Sequence, residues 1–279
     1  MQSPDELRAA VEEYLERLPF APELGELEEP LRYSLLAGGK RIRPVLCLAV
    51  GEALGCDASE LLPAAGALEL VHTFSLVHDD LPALDDDELR RGQPTAHVRY
   101  GEAVAILAGD ALLAEAFRLA LSYPTTEVAR VLAQATVGMI RGQYLDITGD
   151  GALDGGALAY LHALKTGRLL EASVMCGVVV AGLPARERTP WAAFGRELGL
   201  LFQIVDDILD ATGTASELGK TPGKDEAAGK ATYVSVFGLE RARALADEAR
   251  TRVGDELARL RVETSVLASL VAAIRDRRA

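Results

Sequence analysis

The sequence predicts an all-α fold. Apolar residues recur at helical spacing through almost the whole chain, no period-two alternation is sustained between turns, and the strong helix formers Ala, Leu, Glu and Arg dominate. A first helix is expected after Ser3, with Pro4 at its first position, and another after Ser59, leading into "ELLPAAGALELVHTFSLVHDD". Breaks are expected at "FAPELG", "AGGKRIRP", "LRRGQPT", "SYPTT", "TGDGALDGG", "GLPARERTP" and "LGKTPGKDEAAGK", where Gly, Pro and small polar residues interrupt the pattern. That division leaves about eight or more long helices.

With 279 residues, 49% of them hydrophobic and 25% charged, the chain can bury a sizeable core. No Pro/Gly/Ser-rich linker divides it, so residues 1–279 are expected to form one domain. The formal charge of -13 argues against nucleic acid and against an anionic membrane surface, both of which need basic patches. The longest apolar run, "VMCGVVVAGL", covers about half a membrane span, and no stable membrane insertion is expected. Cys47, Cys56 and Cys176 have no metal-like spacing and make a poor disulfide framework. A reducing, cytoplasmic location is expected.

Two acidic clusters each end an apolar helical run. In "LFQIVDDILD", Asp206 and Asp210 lie about 40° apart around a helix axis, with Asp207 beside them. Two anions one turn apart repel unless a cation lies between them, and hard oxygen ligands suit Mg²⁺, which often bridges one or two carboxylates to substrate phosphates. The other reading is an acidic face reaching solvent. In "VHDDLPALDDDELRRG", six acids fall within ten residues, Asp79 to Glu88. On a straight helix Asp85 lies about 120° from Asp79, whereas Asp86 returns to within about 20° of it. Pro82 should kink or bulge the helix between them, leaving the register open.

Basic residues accompany the acids. "AGGKRIRP" places Lys40, Arg41 and Arg43 after a Gly pair that lets amides and side chains approach a phosphate. Arg90 and Arg91 follow the first cluster. Lys165 and Thr166, then Lys220, Lys224 and Lys230, supply further cations and a hydroxyl. Metal-bridged and directly gripped phosphates would account for acids and bases in one site.

The order "GGKRIRP", "HTFSLVHDDLPALDDDELRRG", "GEAVAILAGDALL", "GQYLD", "KTG", "FQIVDDILD" and "GKTPGKD" resembles the trans-isoprenyl diphosphate synthases, or polyprenyl synthetases, over residues 38 to 230. The resemblance implies an isoprenoid-synthase-type helical bundle around a deep central cavity, usually a homodimer. Its two Asp-rich motifs would face each other and hold three Mg²⁺ ions on an allylic diphosphate. Carried over, the metal ligands would be Asp79 and Asp85 with Asp80 assisting, and Asp206 with Asp207 and Asp210 supporting. Arg90, Lys165, Thr166, Gln203, Lys220 and Lys230 would hold the allylic diphosphate. Lys40, Arg43, His72 and Arg91 would hold isopentenyl diphosphate. Taken alone, His72 reads as a core histidine; Asp110, Gln143 and Asp146 also match family positions, as hydrogen-bond partners or supports.

Phe74 and Ser75 precede the first motif on the helix expected to wall the cavity, and an aromatic about 7.5 Å below Asp79 would plug the tunnel. The resemblance to bacterial-type synthases therefore implies farnesyl diphosphate as the main product, with geranylgeranyl diphosphate second. A terpene cyclase would not need "GGKRIRP" and a second Asp motif. A non-catalytic partner subunit would be expected to have lost one of these elements.

Overall fold

The computed structural model describes residues 2–149, 153–213 and 230–275. Its main elements are helices: α1 (Pro4–Glu16), α2 (Glu28–Leu35), α3 (Ile42–Ala53), α4 (Ala58–Asp79), α5 (Ala96–Tyr100), α6 (Glu102–Ala120) and α7 (Glu127–Thr148). Then come α8 (Gly155–His162), a π turn (Ala163–Gly167), α9 (Arg168–Val180), α10 (Thr189–Thr212), α11 (Tyr233–Phe237), α12 (Leu239–Arg259) and α13 (Ser265–Arg275). The described strands are β1 (Leu89–Arg90) and β2 (Gln93–Pro94), paired antiparallel in the "LRRGQPT" break.

Local chemistry explains the helix starts. Ser3 and Glu6 form a capping box on α1, each side chain satisfying the other's backbone amide. Leu7, Val11 and Leu15 then form the buried stripe that recurs every fourth residue. The start expected at Ser59 lies slightly earlier: Asp57 is the cap, its carboxylate accepting from the Ser59 amide at 2.8 Å.

α4 is the core helix, packed against α3, α6 and α9. By length and composition it could cross a membrane, with mean hydropathy 1.2, yet 67% of that stretch is buried inside the bundle. Each Leu buried there contributes about 1.5–3 kcal/mol. Pro63 lies within it and removes a ladder donor. The Tyr123 hydroxyl enters the ladder beside it, donating to Glu60 O at 2.7 Å and accepting from Ala64 N at 3.0 Å. That substitution satisfies the local backbone groups and carries the helix through to Asp79.

Candidate active site

α4 stops at Asp79. The kink or bulge expected inside a continuing helix at Pro82 is replaced by consecutive turns, because the Asp85 amide bonds back to Asp79 O at 2.9 Å and the Asp87 amide to Asp80 O at 3.2 Å. These bonds bring Asp85 back beside Asp79, while Asp86 adopts a left-handed conformation at φ 49°. Straight-helix geometry, which favoured Asp86, does not apply beyond Asp79.

The acids of this motif separate by environment. Asp79 lines a cavity of about 1010 Å³. Asp80, only 3% exposed, points the other way and accepts from Arg90 Nε at 2.8 Å and Nη2 at 2.5 Å. Asp85 lies off the cavity lining and pairs with Lys230 Nζ at 2.9 Å. Burial raises the Asp79 carboxyl to about 6, opposed by the Lys165 charge and reinforced by Asp85.

On α10 the helix continues through the whole second motif. Asp206 and Asp210 line the cavity together, whereas Asp207 turns inward and accepts from Gln203 Nε2 and from the Tyr233 amide, each at 2.7 Å. Asp207 therefore holds Gln203 on the cavity wall and ties the start of α11 to α10.

The basic loop between α2 and α3 is set by the residue between its two expected ligands. Arg41, buried and at φ 48°, donates to Glu12 at 2.9 Å, to Glu69 at 2.6 Å and to Leu35 O at 2.8 Å. Lys40 and Arg43, flanking it, line the cavity, and Arg43 lies over the Phe202 ring at 5.9 Å. Arg91 packs on Gly39, where any Cβ would stand 2.7 Å from the guanidinium, and donates to Gly38 O. Burial, then the nearby guanidiniums of Arg43 and Arg91, hold His72 well below its usual 6.5, so it faces the cavity as a neutral donor and acceptor.

Lys165 and Thr166 enter the cavity from the π turn. Phe74 and Ser75 line it too; Phe74 packs edge-on against His78 at 4.9 Å, and Ser75 Oγ donates to His72 O at 2.8 Å. Lys220 and Lys224 lie outside the described residues. Arg41, expected with Lys40 and Arg43 to approach a phosphate, borders the cavity but spends its guanidinium on Glu12, Glu69 and Leu35 O. Met139, Ile140, Tyr144 and Leu169 also line the cavity without having been expected there. Asp146, noted only as a possible support, bonds Lys165 Nζ at 2.5 Å.

A helical bundle that gathers carboxylates from two helices and cations from three segments around one deep cavity is the architecture of an isoprenoid synthase. The Polyprenyl synthetase family model matches residues 25–269. The chain is 48% identical to the heterodimeric geranylgeranyl pyrophosphate synthase large subunit 1, chloroplastic, of Arabidopsis thaliana, over 83% of this chain and 67% of that protein. It is 45% identical to the geranylgeranyl diphosphate synthase of Cyanophora paradoxa, over 81% of this chain and 80% of that one. A crystal structure of a geranylgeranyl pyrophosphate synthase superposes with TM-score 0.93 at 26% identity and full coverage of both chains. The Helicobacter pylori geranyltransferase complexed with magnesium and isoprenyl diphosphate superposes with TM-score 0.85 at 34% identity, over 97% and 94% of the two chains. The chain belongs to the polyprenyl synthetase family and is a trans-prenyltransferase.

The comparisons correct the cytoplasmic location expected from the sequence, since the relatives from Arabidopsis thaliana and Catharanthus roseus are named as chloroplastic. Buried, unpaired Cys47 and Cys176 fit a reducing surrounding, but that chemistry does not distinguish one reducing compartment from another.

Proposed function

We propose that this protein joins isopentenyl diphosphate to an allylic diphosphate and makes geranylgeranyl diphosphate as its main product. The observation that carries the reading is one cavity with Asp79 on α4 and Asp206 and Asp210 on α10, rimmed by Lys40, Arg43, Arg90, Arg91 and Lys165 and otherwise largely apolar. Residues 1–279 act in this reading as a single polyprenyl synthetase domain.

The expectation of farnesyl diphosphate gives way to its alternative. Relatives 43–48% identical to this chain carry the geranylgeranyl name, and the cavity, at about 1010 Å³, lies at the top of the roughly 300–1,000 Å³ range of ligand pockets. Phe74, expected to plug the tunnel from its spacing and from the resemblance to bacterial-type synthases, lines the cavity with its ring packed against His78; in this reading it bounds a twenty-carbon product.

The donor set fits magnesium. Its ligands are hard carboxylates, and among the described residues no group of three His, Cys, Asp or Glu is gathered to hold a metal ion by itself. An open site of that kind suits an ion shared between one or two carboxylates and substrate phosphates. Asp79, Asp206 and Asp210 would hold the ions on the cavity side, with Asp85 beside Asp79; three ions are expected. When bound, magnesium would neutralise charge developing on the leaving diphosphate. Arg90 and Lys165 add fixed positive charge where the allylic C–O bond breaks. Lys40, Arg43, Arg91 and neutral His72 hold isopentenyl diphosphate so that its double bond attacks the allylic carbon and a C–C bond forms. The proton then lost passes to the released diphosphate, and the apolar walls shield the cation from water.

A homodimer completes the proposal. Ile106 and Leu107 on α6 and Val137 on α7 are large apolar side chains left 44–68% exposed, and in this reading a second copy covers them. Analytical ultracentrifugation is expected to return the dimer mass.

Incubation with Mg²⁺, isopentenyl diphosphate and each allylic primer, followed by mass spectrometry, is expected to give the twenty-carbon product. Mainly fifteen-carbon product would restore the farnesyl reading, and no prenyl product from any primer would overturn the function. Phe74→Ala is expected to lengthen the product; unchanged length would remove Phe74 from chain-length control.

A further inference from the structure

Residues 155–180 run as one helical rod interrupted by the π turn Ala163–Gly167. A turn of this kind inserts one residue into the hydrogen-bond ladder and offsets the register of the helices on either side. It needs a cause in its surroundings. Two glycines on neighbouring helices meet its backbone directly. A Cβ on Gly142 of α7 would stand 2.4 Å from Lys165 N and 2.6 Å from Lys165 Cα. A Cβ on Gly199 of α10 would stand 2.8 Å from Gly167 Cα. In both cases the obstacle is main chain, which cannot rotate aside as a side chain does. One turn beyond Gly142, Asp146 accepts from Lys165 Nζ at 2.5 Å, and the two side chains are only 12% and 25% exposed.

We propose that Gly142, Gly199 and Asp146 are positioning residues that hold the π turn so that Lys165 and Thr166 present their polar groups to the substrate diphosphate. An ammonium has three donors; Asp146 takes one and fixes the direction of the other two. Lys165 and Asp79 line the same cavity. The inference rests on the prenyltransferase reading above and extends it from the residues that touch substrate to those that aim them.

The test compares wild type with Asp146→Asn, Asp146→Glu, Gly142→Ala and the control Gly254→Ala, whose added methyl meets nothing within 4 Å. Steady-state kinetics are combined with the thermal shift produced by Mg²⁺ and inorganic pyrophosphate. Displacing Lys165 by about 1 Å is expected to lower kcat about 100-fold in Asp146→Asn and Gly142→Ala. The KM for isopentenyl diphosphate should stay near the wild-type value, the pyrophosphate-dependent shift should shrink, and Asp146→Glu should recover much of the loss. A lower melting temperature with unchanged kcat, an equal loss on the isopentenyl KM, or no recovery in Asp146→Glu would overturn the proposal. If Gly142→Ala does not fold, the Asp146 pair decides alone. A wild type that forms no prenyl product would instead overturn the prenyltransferase reading.

Discussion

Asp206 and Asp210 ride an unbroken helix, one turn apart, and reach the cavity by regular geometry. Asp79 and Asp85 sit on either side of a helix end, and what relates them is the Asp85 amide folded back onto Asp79 O. Both motifs also turn one acid away from the cavity: Asp80 to clamp Arg90, Asp207 to clamp Gln203 and the Tyr233 amide. The contrast teaches that spacing reports side-chain direction only as far as the helix persists. Adjacent identical residues can then have opposite tasks, one facing the ligand and its neighbour bracing the wall.

The sharpest break of this contrast is a set of single asparagines. Asp79→Asn and Asp206→Asn are each expected to lower kcat by about 100- to 1,000-fold, the scale of losing one group that stabilises developing charge. Asp86→Asn should change it less than about threefold, because its left-handed turn takes it out of the Asp79 register. Equal losses at Asp86 and Asp79 in steady-state assays would return the first motif to straight-helix geometry.

The bracing acids come next. Asp80→Asn weakens the charge pair with Arg90, whose side chain is 30% exposed, and should cost about 2 kcal/mol in urea unfolding, less than a fully buried pair. Asp207→Asn keeps its shape but loses its charge-assisted bonds, at about 1–2 kcal/mol. If either variant unfolds like wild type, that acid does not brace the wall.

The smallest effect is electrostatic. The folded Asp79 carboxyl lies near 6 against its usual 3.8, so its contribution to stability is fully present below 3.8 and lost as pH rises through 6. Metal must displace that proton, so the apparent affinity for Mg²⁺ should fall up to about tenfold per pH unit below 6. The Mg²⁺ concentration giving half of the pyrophosphate-dependent thermal shift, measured from pH 5 to 8, tests this. Asp79→Asn should flatten the profile; a slope kept in that variant assigns the proton to another group.

Much of the molecule was legible because it depends on local rules. Apolar periodicity gave the helices, Gly and Pro clusters gave their ends, and the order of charged motifs brought Lys40, Arg43, Asp79, Lys165 and Asp206 to one cavity. What was not legible depends on long-range contact. Arg41 resembles its basic neighbours in sequence, and only Glu12 and Glu69, from two other helices, turn it inward. The short hairpin at residues 89–94 has no period to read over two-residue strands. The π turn looks like ordinary helix in "LKTGRLL", and the reason for it lies on α7 and α10. A Pro at position 82 announced a break but not whether the helix would bend or stop.

The glycine under Arg91 bears on how such a protein is read by mutation. Gly39 carries no functional group, yet its φ of 133° is a conformation that side chains rarely adopt, and a methyl there would also press on the Arg91 guanidinium, 2.7 Å away. In a saturation scan that scores product formation, its column should be as intolerant as those of the carboxylates, and for the opposite reason: their side chains must be present, whereas at Gly39 a side chain must be absent. Sorting the scan by whether alanine or asparagine is the more damaging replacement would separate shape from charge.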